Sequence, residues 1–457
     1  MSLKVSISGI RGILGNSLTP PVLCDYLCAF ATYIQKTRIP NSDDYPLVIL
    51  GRDTRPSGSA ISLFVKSVLR MQGIRIIDLG IAPTPMVLYT ARILNADGGI
   101  IITASHNPDE WNAFKFVKNG GIFLTKQDFQ NYMTVFSKKD YYYADHKVFI
   151  PLNKDDKIDS RQYFDKYFQN IKQAFDINNI KKRNFKVGID PVNGAGAIFT
   201  SNFLKELNCE VFAINNEQSG VFPHNPEPKP ENLKDLAELI GNHNCDVGFA
   251  QDPDADRLVL VDEKGNVLSE ELTLALCVKH YLTSVKSDVV INLSTSRMIE
   301  DIANACQCRV FRTPTGEINV VEKLLSINAD IGGEGNGGVI MRNVNPCRDS
   351  FVGIVMILEL LAAARIPLSE LVEQLPKYSM IKEKIVTEDF QADNMKNKLQ
   401  AKFPAGTFDF QDGIRLDIDK SWIQVRQSNT EPVVRIIAES LQEKDTLNMI
   451  QKVKELL

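Results

Sequence analysis

Three stretches of this chain repeat one plan, in which strand-length runs rich in valine and isoleucine alternate with helix-length amphipathic segments. Each stretch ends on the same short pattern, N-x-D-x-G, at residues 95–99, 244–248 and 328–332. Alternating strands and helices are typical of βαβ units, and a repeat of this length indicates copies of one structural unit. The sequence therefore predicts an α/β protein that contains three related domains.

The pattern changes after about residue 378. Apolar strand-like runs follow one another at 381–386, 413–418, 422–426 and 433–438, with a helical segment near 394–402 and an amphipathic helix at the end. Successive strands of this kind indicate an antiparallel sheet. With 457 residues, 44% of them hydrophobic, the chain can form about three or four domains. We therefore expect a smaller α+β domain after the three α/β copies.

Composition and charge exclude several classes of partner. Lysine and arginine number 52 against 56 acidic residues, a net charge of −4, so neither nucleic acid nor a membrane is an expected partner. The eight cysteines lack the spacing of a zinc site or a disulfide framework. The N-terminus has no signal-peptide core, and the longest apolar run, 351–364, contains Glu359 and is too short to span a bilayer. We expect a cytoplasmic protein, as a monomer or homodimer.

A chemically unusual loop directly follows each copy of the repeated pattern. These loops read T-A-S-H-N-P at 103–108, D-P-D-A-D-R at 252–257 and E-G-N-G-G at 334–338. In open α/β sheets, ligands bind in the crevice outside the carboxyl ends of the strands. The three loops could therefore converge on one site.

The second loop carries three carboxylates at alternate positions, Asp252, Asp254 and Asp256. Carboxylates this close repel one another unless a divalent cation neutralises them, and oxygen ligands favour Mg²⁺. An acidic surface turn is the alternative. Pro253 stiffens the loop and Arg257 follows it, and both features favour the metal site.

The first loop carries Ser105, where a strand breaks into a turn. The following residues, His106 and Asn107-Pro108, restrict the backbone and could expose the hydroxyl. No G-x-S-x-G elbow surrounds this serine, so a carrier of phosphate is its favoured chemical role, with a plain turn former as the alternative. Lys115, in a predicted strand at 114–117, is a candidate proton carrier or charge clamp, unless it is an ordinary solvated lysine.

The C-terminal domain carries a polar turn at the end of a strand. Its guanidinium, hydroxyl, amide and backbone donors can together hold a phosphate dianion, and the residues that supply the side chains are Arg426, Ser428, Asn429 and Thr430. Arg435, on the following strand, adds a second cation. An ordinary polar turn between two strands is the alternative interpretation.

Taken together, these motifs resemble the α-D-phosphohexomutase superfamily of phosphoglucomutases, phosphomannomutases and phosphoglucosamine mutases. The motifs occur in the family's order over essentially the whole chain, at 8–12 (S-G-I-R-G), 51–55 (G-R-D-T-R), 103–108, 252–257, 334–338 and 426–432. The resemblance implies three α/β/α domains with mixed sheets and a C-terminal α+β domain that resembles the TATA-binding-protein fold. The corresponding boundaries are 1–152, 153–256, 257–374 and 375–457.

The resemblance also implies an isomerase that interconverts hexose 1-phosphates and hexose 6-phosphates. Ser105 would carry the phosphoryl group, and a hexose 1,6-bisphosphate would be both intermediate and activator. Phosphorylated Ser105 would complete a Mg²⁺ site with the three aspartates. Arg11 and Lys115 would flank the phosphoserine, with Lys115 and His106 as the candidates for proton transfer. The polar turn at 426–430 would hold the phosphate that is not reacting.

The resemblance assigns sugar recognition to two further segments and to Arg257. One is the specificity turn, Thr315, Gly316 and Glu317, and the other is the loop with Glu334 and Asn336. Asn336 replaces the family's usual serine, and Gly338 replaces a histidine found in many bacterial members. The resemblance therefore leaves open which sugar is preferred and which residue is the general base. The loops at 252–257 and 334–338 favour phosphoglucosamine mutase-like members.

Two other functions are compatible with parts of the sequence. Asp254 and Asp256 form a D-x-D pair, in which the first aspartate is the nucleophile of haloacid dehalogenase-type phosphatases. That function leaves Ser105 and the Arg426 turn without roles. A sugar-phosphate sensor would instead keep the fold and bind its ligand without turnover.

Overall fold

The computed structural model describes residues 3–38, 45–145, 160–387, 390–427 and 433–457. The chain divides into two compact units, Met1–Glu270 with Gly338–Ser369, and Glu271–Gly337 with Glu370–Leu457. Within the described ranges, no helix has both the length and the apolar character needed to cross a membrane.

The first unit begins with a mixed sheet of seven strands. The strands are β1 (Lys4–Ser6), β2 (Gly9–Ile13), β3 (Leu47–Arg52), β4 (Arg75–Ile81), β5 (Gly98–Ile102), β6 (Trp111–Lys118) and β7 (Ile122–Phe123). Their order is β1-β2-β6-β5-β3-β4, with β7 beside β6. Strands β3, β4 and β5 are parallel, and β6 is antiparallel to β5.

Four helices accompany this sheet: α1 (Pro20–Thr37), α2 (Ser57–Met71), α3 (Thr84–Ile93) and α4 (Lys126–Lys138). Apolar side chains of α1, α2 and α4 pack with one face of the strands into a single core. Helix α3 contacts β3 and β5. This arrangement has the strand and helix alternation that the sequence predicts for the first copy.

A second mixed sheet in the same unit follows the same plan. It contains β8 (Lys186–Asp190), β9 (Glu210–Ala213), β10 (Val247–Gln251) and β11 (Leu258–Val261), in the order β11-β10-β8-β9. Its helices are α5 (Arg161–Ala174), α6 (Ile177–Lys181), α7 (Phe199–Glu206) and α8 (Lys234–His243). Two later elements, β15 (Gly338–Met341) and α12 (Ser350–Ala364), also belong to this unit. The apolar run at 351–364 is therefore a buried helix.

The second unit contains the third copy and the C-terminal sheet. The copy has α9 (Glu270–Ser284), α10 (Met298–Ala305), α11 (Glu317–Ile327) and the parallel strands β12 (Val289–Asn292), β13 (Val310–Thr313) and β14 (Ile331–Glu334). After α13 (Leu368–Glu373) come β16 (Ser379–Val386), α14 (Ala392–Lys402), β17 (Thr407–Asp409), β18 (Ile414–Ile418), β19 (Ser421–Gln427), β20 (Val433–Ser440) and α15 (Glu443–Lys454).

The five C-terminal strands form an antiparallel sheet in the order β16-β20-β19-β18-β17. Side chains of α14 and α15 pack on it in a separate apolar core. The predicted change to a smaller α+β domain is therefore confirmed. The four domain boundaries given above stay a prediction.

The repeated N-x-D-x-G pattern has a structural reason. Its asparagines lie at or just after the ends of α3, α8 and α11, with φ values of +47°, +50° and +56° at Asn95, Asn244 and Asn328. Asparagine tolerates this left-handed conformation better than most residues, so it ends a helix well. In two copies the aspartate then binds the start of the neighbouring parallel strand: Asp97 accepts from the Leu47 backbone N–H, and Asp246 from that of Lys186, both at 2.8 Å.

Candidate active site

Ser105 and the aspartate loop meet in the first unit. Ser105 follows β5, and Asp252 follows β10, so both lie at the carboxyl ends of strands. The Ser105 hydroxyl donates a hydrogen bond to Asp252 Oδ2 at 2.7 Å, although 147 residues separate the two. A backbone bond from Thr84 N–H to the Asp254 carbonyl, 2.9 Å long, also joins the first copy to the aspartate loop. The predicted meeting of the first and second loops is present.

The Ser105 side chain differs from its prediction in one respect. The sequence indicated an exposed hydroxyl, whereas Ser105 is only 3% exposed. The reason is that its hydroxyl is hydrogen-bonded to a fully buried carboxylate, Asp252.

The three aspartates form a compact, buried group. One oxygen of each lies within 4.8 Å of the others. Each carboxylate also has one oxygen fixed by protein donors: Asp252 Oδ1 accepts from the backbone N–H groups of Asp256 and Arg257, at 3.1 and 3.2 Å. Asp254 Oδ2 accepts from Lys115 Nζ at 2.6 Å and Thr84 Oγ1 at 2.7 Å. Asp256 Oδ2 accepts from Arg348 Nη2 at 2.6 Å.

The remaining oxygens fit a divalent cation. Among the described residues, the buried Oδ1 atoms of Asp254 and Asp256 have no hydrogen-bond partner. Buried carboxylate oxygens are normally paired, and hard oxygen donors of this kind are what Mg²⁺ or Ca²⁺ coordinates. The aspartate group could therefore hold a divalent metal.

Charge on the site is unevenly distributed. Burial and the neighbouring carboxylates of Asp256 and Asp254 raise the pKa of Asp252 well above its usual range. Burial also works against the charge on Asp254, but Lys115 and Thr84 outweigh it and hold the pKa of Asp254 well below its usual range. For Lys115 burial is outweighed by Asp254 and Asp256, so its pKa is raised. Lys115 is therefore a protonated, buried lysine, which excludes the solvated alternative.

The other predicted side chains near Ser105 are cationic or neutral. Arg11 Nη1 donates to Asn107 Oδ1 at 2.5 Å, and burial lowers the pKa of Arg11 to about 10. The positive charge of Arg257, followed by burial, lowers the pKa of His106 well below 6.5. His106 is therefore uncharged near neutral pH, and an anion entering the site would raise its pKa again.

In the second unit, the turn at 315–317 and the loop at 334–338 meet at Glu334. This residue ends β14, and its Oε1 accepts from Asn292 Nδ2 at 2.7 Å and from the Gly316 N–H at 3.0 Å. Asn336 Nδ2 lies 3.5 Å from Glu334 Oε2. Glu317 is buried at the first position of α11. These two predicted segments are therefore adjacent.

The turn at 315–317 also meets the Arg426 strand, through Asp412. Asp412 Oδ2 accepts from the Thr315 N–H at 3.0 Å and from Arg426 Nη1 at 3.1 Å. Arg435 pairs with Arg426 across β19 and β20, which brings the two predicted cations side by side. The other members of the predicted phosphate turn lie outside the described residues: Ser428, Asn429 and Thr430.

Several residues that contact the predicted groups carried no clear sequence signal. Thr84 and Arg348 bind predicted side chains that lie 170 and 92 residues away in the chain, and Asp412 binds the Thr315 N–H from 97 residues away. No local pattern indicates such partners. Arg55 and Asp53 differ, because they lie in the G-R-D-T-R motif at 51–55, which the sequence singled out without a role.

Comparison with protein families gives matches over most of the chain. Three models match that describe phosphoglucomutase/phosphomannomutase alpha/beta/alpha domains: domain I at residues 3–142, domain II at 165–265 and domain III at 270–378. The C-terminal domain of the same family matches residues 385–455. The α/β architecture expected from the motifs is therefore confirmed.

Individual relatives agree with these matches. A phosphoglucomutase/phosphomannomutase of Thermococcus kodakarensis is 36% identical over 438 residues, covering 95% of this chain and 94% of the relative. A phosphoglucosamine/phosphogalactosamine mutase of Sulfurisphaera tokodaii is 30% identical over 462 residues, covering 98% of each chain.

A solved structure shares the fold of this chain. The solved structure of a phosphoglucomutase/phosphomannomutase family protein from Burkholderia thailandensis superposes with a TM-score of 0.82 at 24% identity, covering 99% of this chain and 98% of that one. The chain therefore belongs to the phosphoglucomutase/phosphomannomutase family of phosphohexomutases, isomerases that transfer a phosphoryl group within a hexose phosphate.

Proposed function

We propose that this chain interconverts hexose 1-phosphates and hexose 6-phosphates, with Ser105 as the carrier of the phosphoryl group. The observation that carries the proposal is the 2.7 Å hydrogen bond between the Ser105 hydroxyl and Asp252, inside a buried group of three carboxylates. A phosphatase of the Asp254 type is disfavoured, because it would leave the hydrogen bond between Ser105 and Asp252 and the Arg426 turn without roles.

Asp252, Asp254 and Asp256, together with phosphorylated Ser105, would hold Mg²⁺. The ion would neutralise charge on the phosphoryl group, which is the main requirement of phosphoryl transfer. Support comes from the two buried carboxylate oxygens that have no hydrogen-bond partner among the described residues, and from the three aspartates themselves, which each place one oxygen within 4.8 Å of the others.

The protein's own residues would move the protons. When a sugar hydroxyl attacks phosphoserine, the new P–O bond forms at the sugar and the P–Oγ bond of Ser105 breaks. The attacking hydroxyl loses a proton, and His106 is a candidate acceptor because it is uncharged. Lys115 is protonated between two carboxylates, so it is suited to donate a proton to Ser105 Oγ as it leaves. The bisphosphate then returns its other phosphoryl group to Ser105.

Residues of the second unit would bind the sugar and the phosphate that is not reacting, and for Arg257 the family resemblance implies a contact with the substrate. The support for sugar binding is that two donors fix Glu334, so its carboxylate has a defined orientation toward neighbouring hydroxyls. Thr315, Gly316, Glu317 and Asn336 lie in the same two segments. Arg426 and Arg435 supply paired cations for a phosphate, with Ser428, Asn429 and Thr430 as further donors.

Substrate choice is expected to be broad, because a carboxylate and an amide read the orientation of hydroxyls more than the group on carbon 2. The test is a coupled assay with Mg²⁺ and a catalytic amount of glucose 1,6-bisphosphate as activator. Glucose, mannose, glucosamine and N-acetylglucosamine 1-phosphates are compared side by side. We expect conversion of glucose and glucosamine 1-phosphates with specificity constants within about a hundredfold of each other, since one unmet polar partner can already exceed that ratio.

Each other outcome has a definite meaning. Release of inorganic phosphate in place of isomerisation would identify a phosphatase. Binding of sugar phosphate without turnover would identify a sensor. A strict preference for one sugar would keep the mutase function and move discrimination away from Glu334 and Asn336.

A further inference from the structure

Ser105 has a backbone conformation that its surroundings must hold in place. Its φ of +50° is in the left-handed region, which serine rarely adopts. Such conformations persist where several contacts fix them, and they are common at functional sites. The contacts that fix Ser105 therefore bear directly on where its hydroxyl lies.

One contact comes from Arg55, in the loop after β3. Arg55 Nη2 donates to the backbone carbonyl of Ser105 at 2.7 Å and to that of Asn107 at 2.6 Å. A single nitrogen thus clamps the two carbonyls on either side of His106. Arg55 is fully buried, so water does not compete for these bonds.

Asp53 contacts Arg55 directly and is linked through Thr103 to the backbone N–H of Ser105. Its Oδ1 accepts from the Arg55 N–H at 2.9 Å, and its Oδ2 lies 3.5 Å from Arg55 Nε. The same Oδ2 accepts from Thr103 Oγ1 at 2.6 Å, and Thr103 Oγ1 accepts from the Ser105 N–H at 3.0 Å. Asp53 is therefore connected to both the N–H and the carbonyl of Ser105, and like Thr103 it is fully buried.

We infer that Asp53 and Arg55 are positioning residues, which fix the Ser105 turn so that Oγ lies against Asp252. The inference rests on the proposed role of Ser105 as phosphoryl carrier. Both side-chain hydrogen bonds described for Arg55 run from Nη2 to backbone carbonyls, so we assign its effect on phosphoryl transfer to the geometry of the turn. A displacement of a reacting atom by about 1 Å can slow a reaction on the order of a hundredfold.

The test compares Arg55→Lys and Asp53→Asn with Thr54→Val. Lysine keeps the charge of Arg55 but lacks the planar guanidinium, and asparagine removes the charge that pairs with it. Thr54 lies between them in the same loop and bonds to the Asn193 carbonyl at 2.8 Å, so Thr54→Val disturbs the loop without touching the Ser105 turn. For each variant one measures Tm, kcat and KM. One also measures the single-turnover rate at which glucose 1,6-bisphosphate phosphorylates Ser105, using the intact mass of the protein to detect the added phosphoryl group.

For Arg55→Lys and Asp53→Asn we expect kcat and the phosphorylation rate to fall together by about 10- to 1000-fold, with KM within about threefold of the wild type. Thr54→Val should keep both rates within about threefold of the wild-type rates, even if its Tm falls as much as the Tm of Arg55→Lys or Asp53→Asn. Rates are taken per folded molecule below each Tm, so loss of stability alone does not mimic the result.

Two results separate the inference from the function on which it rests. Wild-type phosphorylation rates in folded Arg55→Lys or Asp53→Asn would overturn the positioning role. Wild-type turnover in Ser105→Ala, run in parallel, would instead overturn the proposed function. Equal loss in Thr54→Val would show that the loop acts only through general stability and would also overturn the inference.

Discussion

At the scale of single residues, the proposed cation site depends on how the aspartates are held by their neighbours. Lys115 and Arg348 each bind one oxygen of a buried aspartate, and the other oxygen of that aspartate has no hydrogen-bond partner among the described residues. Orienting donors of this kind are known to sharpen metal sites, because they fix the direction of the ligand atoms. The affinity for the cation should therefore depend on the charge of each aspartate.

Asp254→Asn tests this dependence. The substitution keeps the size of the side chain but removes one negative charge and replaces a carboxylate oxygen, so Mg²⁺ affinity should fall by at least about tenfold. Isothermal titration calorimetry with Mg²⁺ measures it without any need for turnover. Asp246→Asn is the matched control, because Asp246 precedes the same strand, β10, at its opposite end. Unchanged affinity in Asp254→Asn would exclude this aspartate as a ligand.

His224 predicts a pH dependence of stability. Its ring Nε2 lies 3.0 Å from Asp190 Oδ2. Burial works against the charged ring, but the bond to Asp190 outweighs it and raises the pKa of His224 above 6.5. A raised folded-state pKa stabilises the fold fully below the unfolded pKa, and this stabilisation is lost as pH rises through the folded pKa.

The difference in unfolding free energy between wild type and His224→Asn should therefore be larger near pH 6 than near pH 9, at about constant ionic strength. Urea denaturation at the two pH values measures it. An equal difference at both values would show that the His224–Asp190 pair carries no net charge interaction.

At the scale of elements, one hydrogen-bonded group joins two helices of the first unit. Asp349 precedes α12 and accepts from the backbone N–H groups of Phe351 and Val352, which satisfies donors that a helix start leaves unpaired. Tyr167, on α5, donates its hydroxyl to the same carboxylate, 2.6 and 2.7 Å from its two oxygens. Both residues are buried, so this contact ties α5 to the start of α12.

Tyr167→Phe should lower the free energy of unfolding by about 1–3 kcal/mol, because it leaves a buried carboxylate with one donor fewer. Tyr163→Phe is the control, since Tyr163 lies one turn earlier on α5 and no hydrogen bond to its hydroxyl is present among the described contacts. Chemical denaturation of both variants gives the comparison. Equal small effects would mean that Tyr167 contributes by packing alone.

At the scale of the whole molecule, the sequence predicts what repeats or what lies close together along the chain. The three copies, the change to an antiparallel sheet and the carboxylate loop all follow from short-range patterns. Partners such as Arg348 with Asp256, or Tyr167 with Asp349, are 92 and 182 residues apart, and no local pattern indicates them. The burial of Lys115 could not be predicted from the sequence for another reason. Nearly every position of β6 is buried, so the alternation of polar and apolar residues along this strand does not show which face is exposed.

Phosphate-labelled glucose 1,6-bisphosphate shows whether Ser105 carries the phosphoryl group. We expect label to appear on the Ser105 peptide and then to pass to added hexose monophosphate, with little lost to water. Ser105→Ala should take up no label and lose mutase activity by at least about a thousandfold, as expected when a covalent step is removed. Label released to water without passing to sugar, or full mutase activity in Ser105→Ala, would contradict this role of Ser105.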